Sequence, residues 1–181
     1  MKKLKEVLIP AIALFLICLV ATFLLGGTDF LTKEKIAEVA EKAAEEARLK
    51  VCTQAVSFRE TENGCFIALD EKGNTVGYAV STKDKSYGGD IEVMTGFDKD
   101  GNITGIEILS IEDTPGLGMN AKGEKFRNQF IGKSGELEVS KTPGNENEIQ
   151  AITGATITSN AVKRCVNAAI EILNAETAGE N

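Results

Sequence analysis

A chain of 181 residues has room for one modest domain with a hydrophobic core and one further element. Its net charge is -7, from 27 acidic against 20 basic residues, which argues against a broad nucleic-acid surface. Histidine and tryptophan are both missing, so imidazole acid–base catalysis, Ser-His-Asp triads and histidine metal ligation are excluded, and any redox chemistry has to come from a cofactor.

Residues 7–25 form a nineteen-residue run without a charge, long enough to cross ~30 Å of hydrocarbon as a helix. Pro10 falls near its start, where few intrahelical bonds are broken. Lys2, Lys3 and Lys5 precede the run and Gly26-Gly27-Thr28-Asp29 follows it. The bias of positive charge places residues 1–6 in the cytoplasm and everything after residue 26 outside, across the cell inner or plasma membrane. A cleaved signal peptide is the competing reading, although no clean A-x-A site follows the run. The spanning segment carries no charge and so offers no membrane-embedded ion site.

Residues 26–50 switch to Ala, Glu and Lys, with opposite charges three or four apart, the pattern of a charged helix with Thr28 or Asp29 as its candidate N-cap. Two readings stand side by side: a stalk that lifts the domain from the membrane, or a helix packed on its own domain. Residues 51–175 form the domain, and 176–181 a tail. Runs rich in Val, Ile and aromatics at 65–69, 75–81, 91–97 and 103–110 are separated by glycine-bearing turns, which predicts an antiparallel meander. Residues 122–131, with Phe126 and Phe130 four apart, predict a short helix; a strand follows around 137–139 and a polar loop over 141–148. A last helix over 157–173 places Val162, Val166, Ala169, Ile170 and Leu173 on one face. The fold class is α+β. Lys163 and Arg164 read as a solvated helix face, with neutralisation of a phosphate as the alternative.

The four cysteines, Cys18, Cys52, Cys65 and Cys165, show no CxxC spacing, which argues against a zinc or iron–sulfur site. Cys52 and Cys65 are either a disulfide, if the compartment is oxidising, or two small buried thiols. No residue is assigned a catalytic or metal-binding role.

Three stretches remain that packing alone does not require. Ser86-Tyr87-Gly88-Gly89-Asp90 leads into one strand, Glu112-Asp113-Thr114-Pro115-Gly116-Leu117-Gly118 follows another, and Thr153-Gly154-Ala155-Thr156 opens the last helix, trailed by Thr158 and Ser159. Small residues let a large ligand approach the backbone, and hydroxyls at a helix start either cap it or meet a phosphate. The Pro-Gly stretch reads from its chemistry as a tight turn, and Tyr87 as a strand-edge aromatic.

In this order, behind one membrane anchor, the three motifs resemble the covalent FMN-binding domain of the G subunit of the Rnf complex, related to the C subunit of the sodium-pumping NADH:quinone oxidoreductase. The shorter domain is more similar to the Rnf protein. The resemblance implies FMN joined by a phosphoester to Thr156. Thr153, Gly154 and Ala155 serve access by a flavin transferase, Thr158 and Ser159 the phosphate. Thr114, Pro115, Gly116, Leu117 and Gly118 face the isoalloxazine, and Tyr87, Gly88 and Gly89 form the opposite wall. Two departures stand out: Gln150 where an acidic residue is common six positions before the threonine, and Asp113 where the loop usually has Glu.

The implied protein is an electron-carrying subunit of an ion-translocating (Na+ or H+) ferredoxin:NAD oxidoreductase, distinct from the site of hydride transfer. Its partners are the other membrane and peripheral subunits, the bilayer and, during maturation, the transferase. The rival readings are a stand-alone membrane-anchored extracellular flavoprotein and a non-redox binding or assembly module whose threonine motif is only a helix cap.

Overall fold

The computed structural model describes residues 2–179. The chain divides into two compact units, residues 1–42 and 43–181. Helix α1 spans Lys2–Val51, and the first unit consists of its N-terminal part. This part includes a segment long and apolar enough to cross a membrane, with Leu14, Phe15, Ile17 and Phe23 all exposed.

The sequence predicts a break at residues 26–29, and the helix instead continues through Gly26 and Gly27, each of which costs about 1 kcal/mol against alanine. Thr28 is no N-cap: its hydroxyl donates back to the Leu24 carbonyl at 2.8 Å, and Thr32 does the same to Thr28 at 2.8 Å. Pro10 lies more than a turn inside the helix and removes one amide donor from its ladder.

In the second unit the core is a five-stranded antiparallel meander in sequence order: β1 Ser57–Glu60, β2 Cys65–Leu69, β3 Thr75–Lys85, β4 Asp90–Phe97 and β5 Ile103–Ile111. The predicted strands are present, with β3 four residues longer than expected and β1 an edge strand that the sequence reading missed. Two hairpins repeat one turn chemistry. Asp70 accepts from the amides of Lys72 and Asn74, and Asp98 from those of Asp100 and Asn102, all at 2.8–2.9 Å.

Alternation along the strands gives the sheet two apolar faces. Ile67, Val80, Ile91 and Val93 face α3, Thr156–Gly179, through its Val162, Cys165, Val166 and Ala169. Phe126 and Phe130 join this core as an edge-to-face pair 5.5 Å apart. Their segment is not one helix: a 3-10 turn at Gly118–Lys122, α2 at Glu124–Arg127 and a second 3-10 turn at Asn128–Phe130 share it.

The opposite face carries Ala68, Ala79 and Met94, packed on Ala47 and Val51 of the last turns of α1 and on Cys52. The Arg48 guanidinium sits over the Phe66 ring at 4.2 Å. The charged helix therefore packs on its own domain at its C-terminal end. Cys52 and Cys65 are thiols on opposite faces of the sheet, so the disulfide alternative is set aside.

β6, Glu138–Ser140, and β7, Glu148–Gln150, form a short parallel ladder with Val139 opposite Ile149. The predicted polar loop therefore ends in a strand, one that leads directly into the threonine motif. α3 starts at Thr156 and extends past its predicted end to Gly179, taking in most of the expected tail; Glu180 and Asn181 lie outside the described residues.

Candidate functional site

Three chain segments converge at one end of the sheet. Ile91 pairs with Ile111, which sets the 86–90 turn beside the loop that follows β5. The N-terminal part of α3 is fixed across the same end by the bonds of two side chains. Thr82 Oγ1 donates to the Cys165 carbonyl at 2.9 Å, and Arg164 donates to Asp84 at 2.5 Å and to the Lys85 carbonyl at 2.9 Å. Arg164 is thus an anchor for β3 and not a merely solvated residue. Burial pushes the Asp84 carboxyl up, but the Arg164 bond, the Lys85 amide and the Arg164 charge together outweigh it and hold the group below the usual carboxylate range.

Two turns of like construction face each other. In the first, the Leu117 amide donates to the Thr114 carbonyl at 3.2 Å, with Pro115 and Gly116 at the centre and Gly116 at φ 77. In the second, the Ala155 amide donates to the Ile152 carbonyl at 2.9 Å, with Thr153 and Gly154 at the centre and Gly154 at φ 79. Both third positions need a positive φ, which glycine adopts without strain.

Between the turns lies a cleft of about 440 Å³ lined by Tyr87, Asp113, Thr114, Leu117, Gly118 and residues 154–158, within the ~300–1,000 Å³ range of small-molecule sites. Its rim is apolar and exposed: Tyr87 at 71%, Leu117 at 44% and Ile157 at 56%. Thr156 is exposed at the first position of α3. The first intrahelical amide bond there runs from Ser159 to Ala155 at 3.0 Å, so the preceding first-turn amides have no acceptor within the helix.

Asp113, only 4% exposed, ties the three segments together. Its Oδ2 accepts from Ser86 Oγ and from Thr158 Oγ1, both at 2.5 Å, and its Oδ1 from the Gly88 amide at 2.6 Å. Burial pushes this carboxyl up, yet the bonds from Ser86, Thr158 and Gly88, with the Tyr87 amide beside them, outweigh burial and hold it below its ordinary range. Gly118 closes the arrangement, because a Cβ there would meet Asp113 Cβ at 2.5 Å and Thr158 Oγ1 at 2.7 Å. Gly118→Ala is therefore expected to lose roughly 1–3 kcal/mol. Thermal unfolding checks this, and an unchanged Tm contradicts the packing described.

Of the residues singled out in the sequence, Tyr87, Thr114, Leu117, Gly118, Gly154, Ala155, Thr156 and Thr158 line this cleft. Pro115 and Gly116 shape its turn, and Gly88 contributes an amide to Asp113. Gly89 packs beside Glu112, and Thr153 faces a neighbouring groove with Met119 and Gln129. Ser159 is fully buried; its hydroxyl donates to the Ala155 carbonyl and accepts from the Ile152 amide. Neither Thr158 nor Ser159 is an N-cap. Ile157 escaped the sequence reading, as did the hub role of Asp113. Burial pushes the Cys52 and Cys165 thiols up to about 11, which makes them poor nucleophiles.

The residues fit a flavin mononucleotide: an exposed hydroxyl and free helix-start amides for the phosphate, and a cleft with an apolar rim for the ring. Residues 86–171 match the FMN-binding domain family, and residues 1–51 match the RnfG N-terminal region. The G subunit of the proton-translocating ferredoxin:NAD(+) oxidoreductase complex of Clostridium ljungdahlii is 33% identical, over 90% of this chain and 89% of that protein. The G subunit of the Na(+)-translocating ferredoxin:NAD(+) oxidoreductase complex of Acetobacterium woodii is 37% identical, over 88% and 87%. The crystal structure of the C subunit of Na(+)-translocating NADH-quinone reductase from Parabacteroides distasonis shares the fold, with a TM-score of 0.61 at 20% identity over 78% of this chain and 93% of that one. The apolar N-terminal helix and these relatives together assign the protein to a membrane complex. The chain belongs to the RnfG family, the G subunits of ion-translocating ferredoxin:NAD oxidoreductase complexes.

Proposed function

We propose that the protein carries FMN covalently on Thr156 and relays electrons between partner subunits of an Rnf-type complex that couples ferredoxin/NAD electron transfer to Na+ or H+ translocation. The observation that carries this reading is the exposed Thr156 hydroxyl at the start of α3, on the wall of a cleft with an apolar rim. FMN supplies the reversible electron uptake and release that no side chain of this chain offers. The first-turn amides of α3 and the positive end of its dipole favour the phosphate charge. Leu117, Ile157 and Tyr87 give the ring an apolar surface while leaving the cleft open, as electron exchange with neighbours requires.

Residues 7–25 span the membrane with Lys2, Lys3 and Lys5 on the cytoplasmic side, and the domain lies on the outer side. There a phosphoester tether keeps a flavin that is not replenished from being lost. A flavin transferase attaches it during maturation, reaching Thr156 from solvent.

Purification from the native host in mild detergent tests the assignment to a complex. Co-elution with several membrane subunits, and loss of covalent flavin from the assembly when this chain is deleted, is the expected result. A flavin-bearing chain that elutes alone, with its electron transfer intact, favours the stand-alone flavoprotein instead.

A further inference from the structure

Among the described residues, Asp113 is the one charged side chain lining the cleft. Its neighbours there are Tyr87, Leu117, Ile157, threonines and small residues, all neutral. Among the described residues no cation pairs with it. The carboxylate is buried and held by three dipolar donors, Ser86 Oγ, Thr158 Oγ1 and the Gly88 amide. Donors of this kind satisfy the lone pairs but leave a full negative charge behind a wall of low polarizability, where charges act over longer range than in water.

Two cations on the elements that frame the site are engaged elsewhere. Arg164 holds Asp84, and Lys85 holds Asp90 at 2.5 Å. A fixed, uncompensated anion at the wall makes the addition of a further electron to the cleft less favourable.

We infer that Asp113 sets a low reduction potential for the flavin by holding an uncompensated negative charge at the cleft wall. The inference rests on the reading that FMN occupies this cleft. Asp113→Asn is a clean probe, because the bonding pattern accommodates an amide. Its Oδ1 still accepts from Gly88, and its Nδ2 donates to Ser86 and Thr158, whose hydroxyls turn to accept. Shape and bonding are kept while the charge is removed. Ser86→Ala does the opposite: it keeps the charge and strips one donor that partly offsets it.

The test is a spectroelectrochemical titration of the full chain in detergent at pH 7, comparing wild type with Asp113→Asn, Asp113→Glu and Ser86→Ala. Asp113→Asn is expected to shift the midpoint potential positive, by the equivalent of at least about a tenfold change in the electron-uptake equilibrium, the low end of what a neighbouring charge does to a titrating group. Asp113→Glu is expected to stay near wild type, and Ser86→Ala to shift slightly negative. A flavin-loaded Asp113→Asn at the wild-type potential overturns the inference, as does an equal positive shift in Asp113→Glu. If Asp113→Asn does not fold, a positive or absent shift in Ser86→Ala overturns it alone. A wild-type chain without flavin sinks the functional reading first, before any potential is compared.

Discussion

Thr156→Val is expected to abolish covalent flavin completely while leaving the fold within about 0.5 kcal/mol of wild type, the range of ordinary surface substitutions. Valine matches threonine in shape and branching, and Thr156 is exposed at the helix start, so little packing is lost. What disappears is the oxygen through which the phosphoester forms. Intact mass and in-gel fluorescence check the first half, and thermal unfolding the second. Covalent flavin on the Thr156→Val chain would mean that another hydroxyl is the site. Thr158 and Ser159 are poor substitutes because both are buried, at 1% and 0% exposure, with hydroxyls already engaged.

Asp113→Ala is expected to be the most damaging single change at the site. It removes the acceptor of three bonds and leaves the Ser86, Thr158 and Gly88 donors facing a void. Bonds to a charged group contribute about 1.5–3 kcal/mol each, and because they share one carboxylate the losses are not additive. A total of at least ~3 kcal/mol follows, read as a fall in the urea midpoint.

The same carboxylate gives an acid dependence of known sign. Its folded pKa lies below the ordinary value, which is ~3.9 when unfolded. Its contribution is therefore complete above about pH 4 and is lost as the pH falls through the lower folded value. Asp113→Asn lacks this portion of the acid dependence and keeps most of the neutral-pH stability. If wild type and Asp113→Asn lose stability in parallel below pH 4, the carboxylate is not held as described.

Much of this was legible in the sequence where the signal is local. The runs rich in Val, Ile and aromatics at 65–69 and 91–97 marked the strands because those residue types suit a pleated, half-buried surface and glycine-bearing turns bound them. The glycine-bearing turns at 71–74 and 98–102 predicted both hairpins, whose bonds span only two to four residues. The threonine motif marked the start of α3 to within one residue. What stayed hidden depends on distance along the chain. Asp113 meets partners 25, 27 and 45 residues away, and no periodicity reports such convergence.

β6 was expected around 137–139, but its partner β7 is three residues long, too short for a pattern to register, and follows a loop of Gly, Asn and Pro. At Gly26-Gly27 the local propensity pointed to a break, and the continuous α1 overrode it. Cys52 and Cys65 were indistinguishable by spacing, and only the sheet between them separates the two.

The most direct measurement is in-gel flavin fluorescence of the denatured wild-type chain from its native host, followed by peptide mass mapping. A fluorescent band whose FMN mass lies on the peptide containing Thr156 is the predicted result. A dark band with unmodified Thr156, from cells in which another protein is flavinylated, would contradict the account and reduce the motif to a helix start.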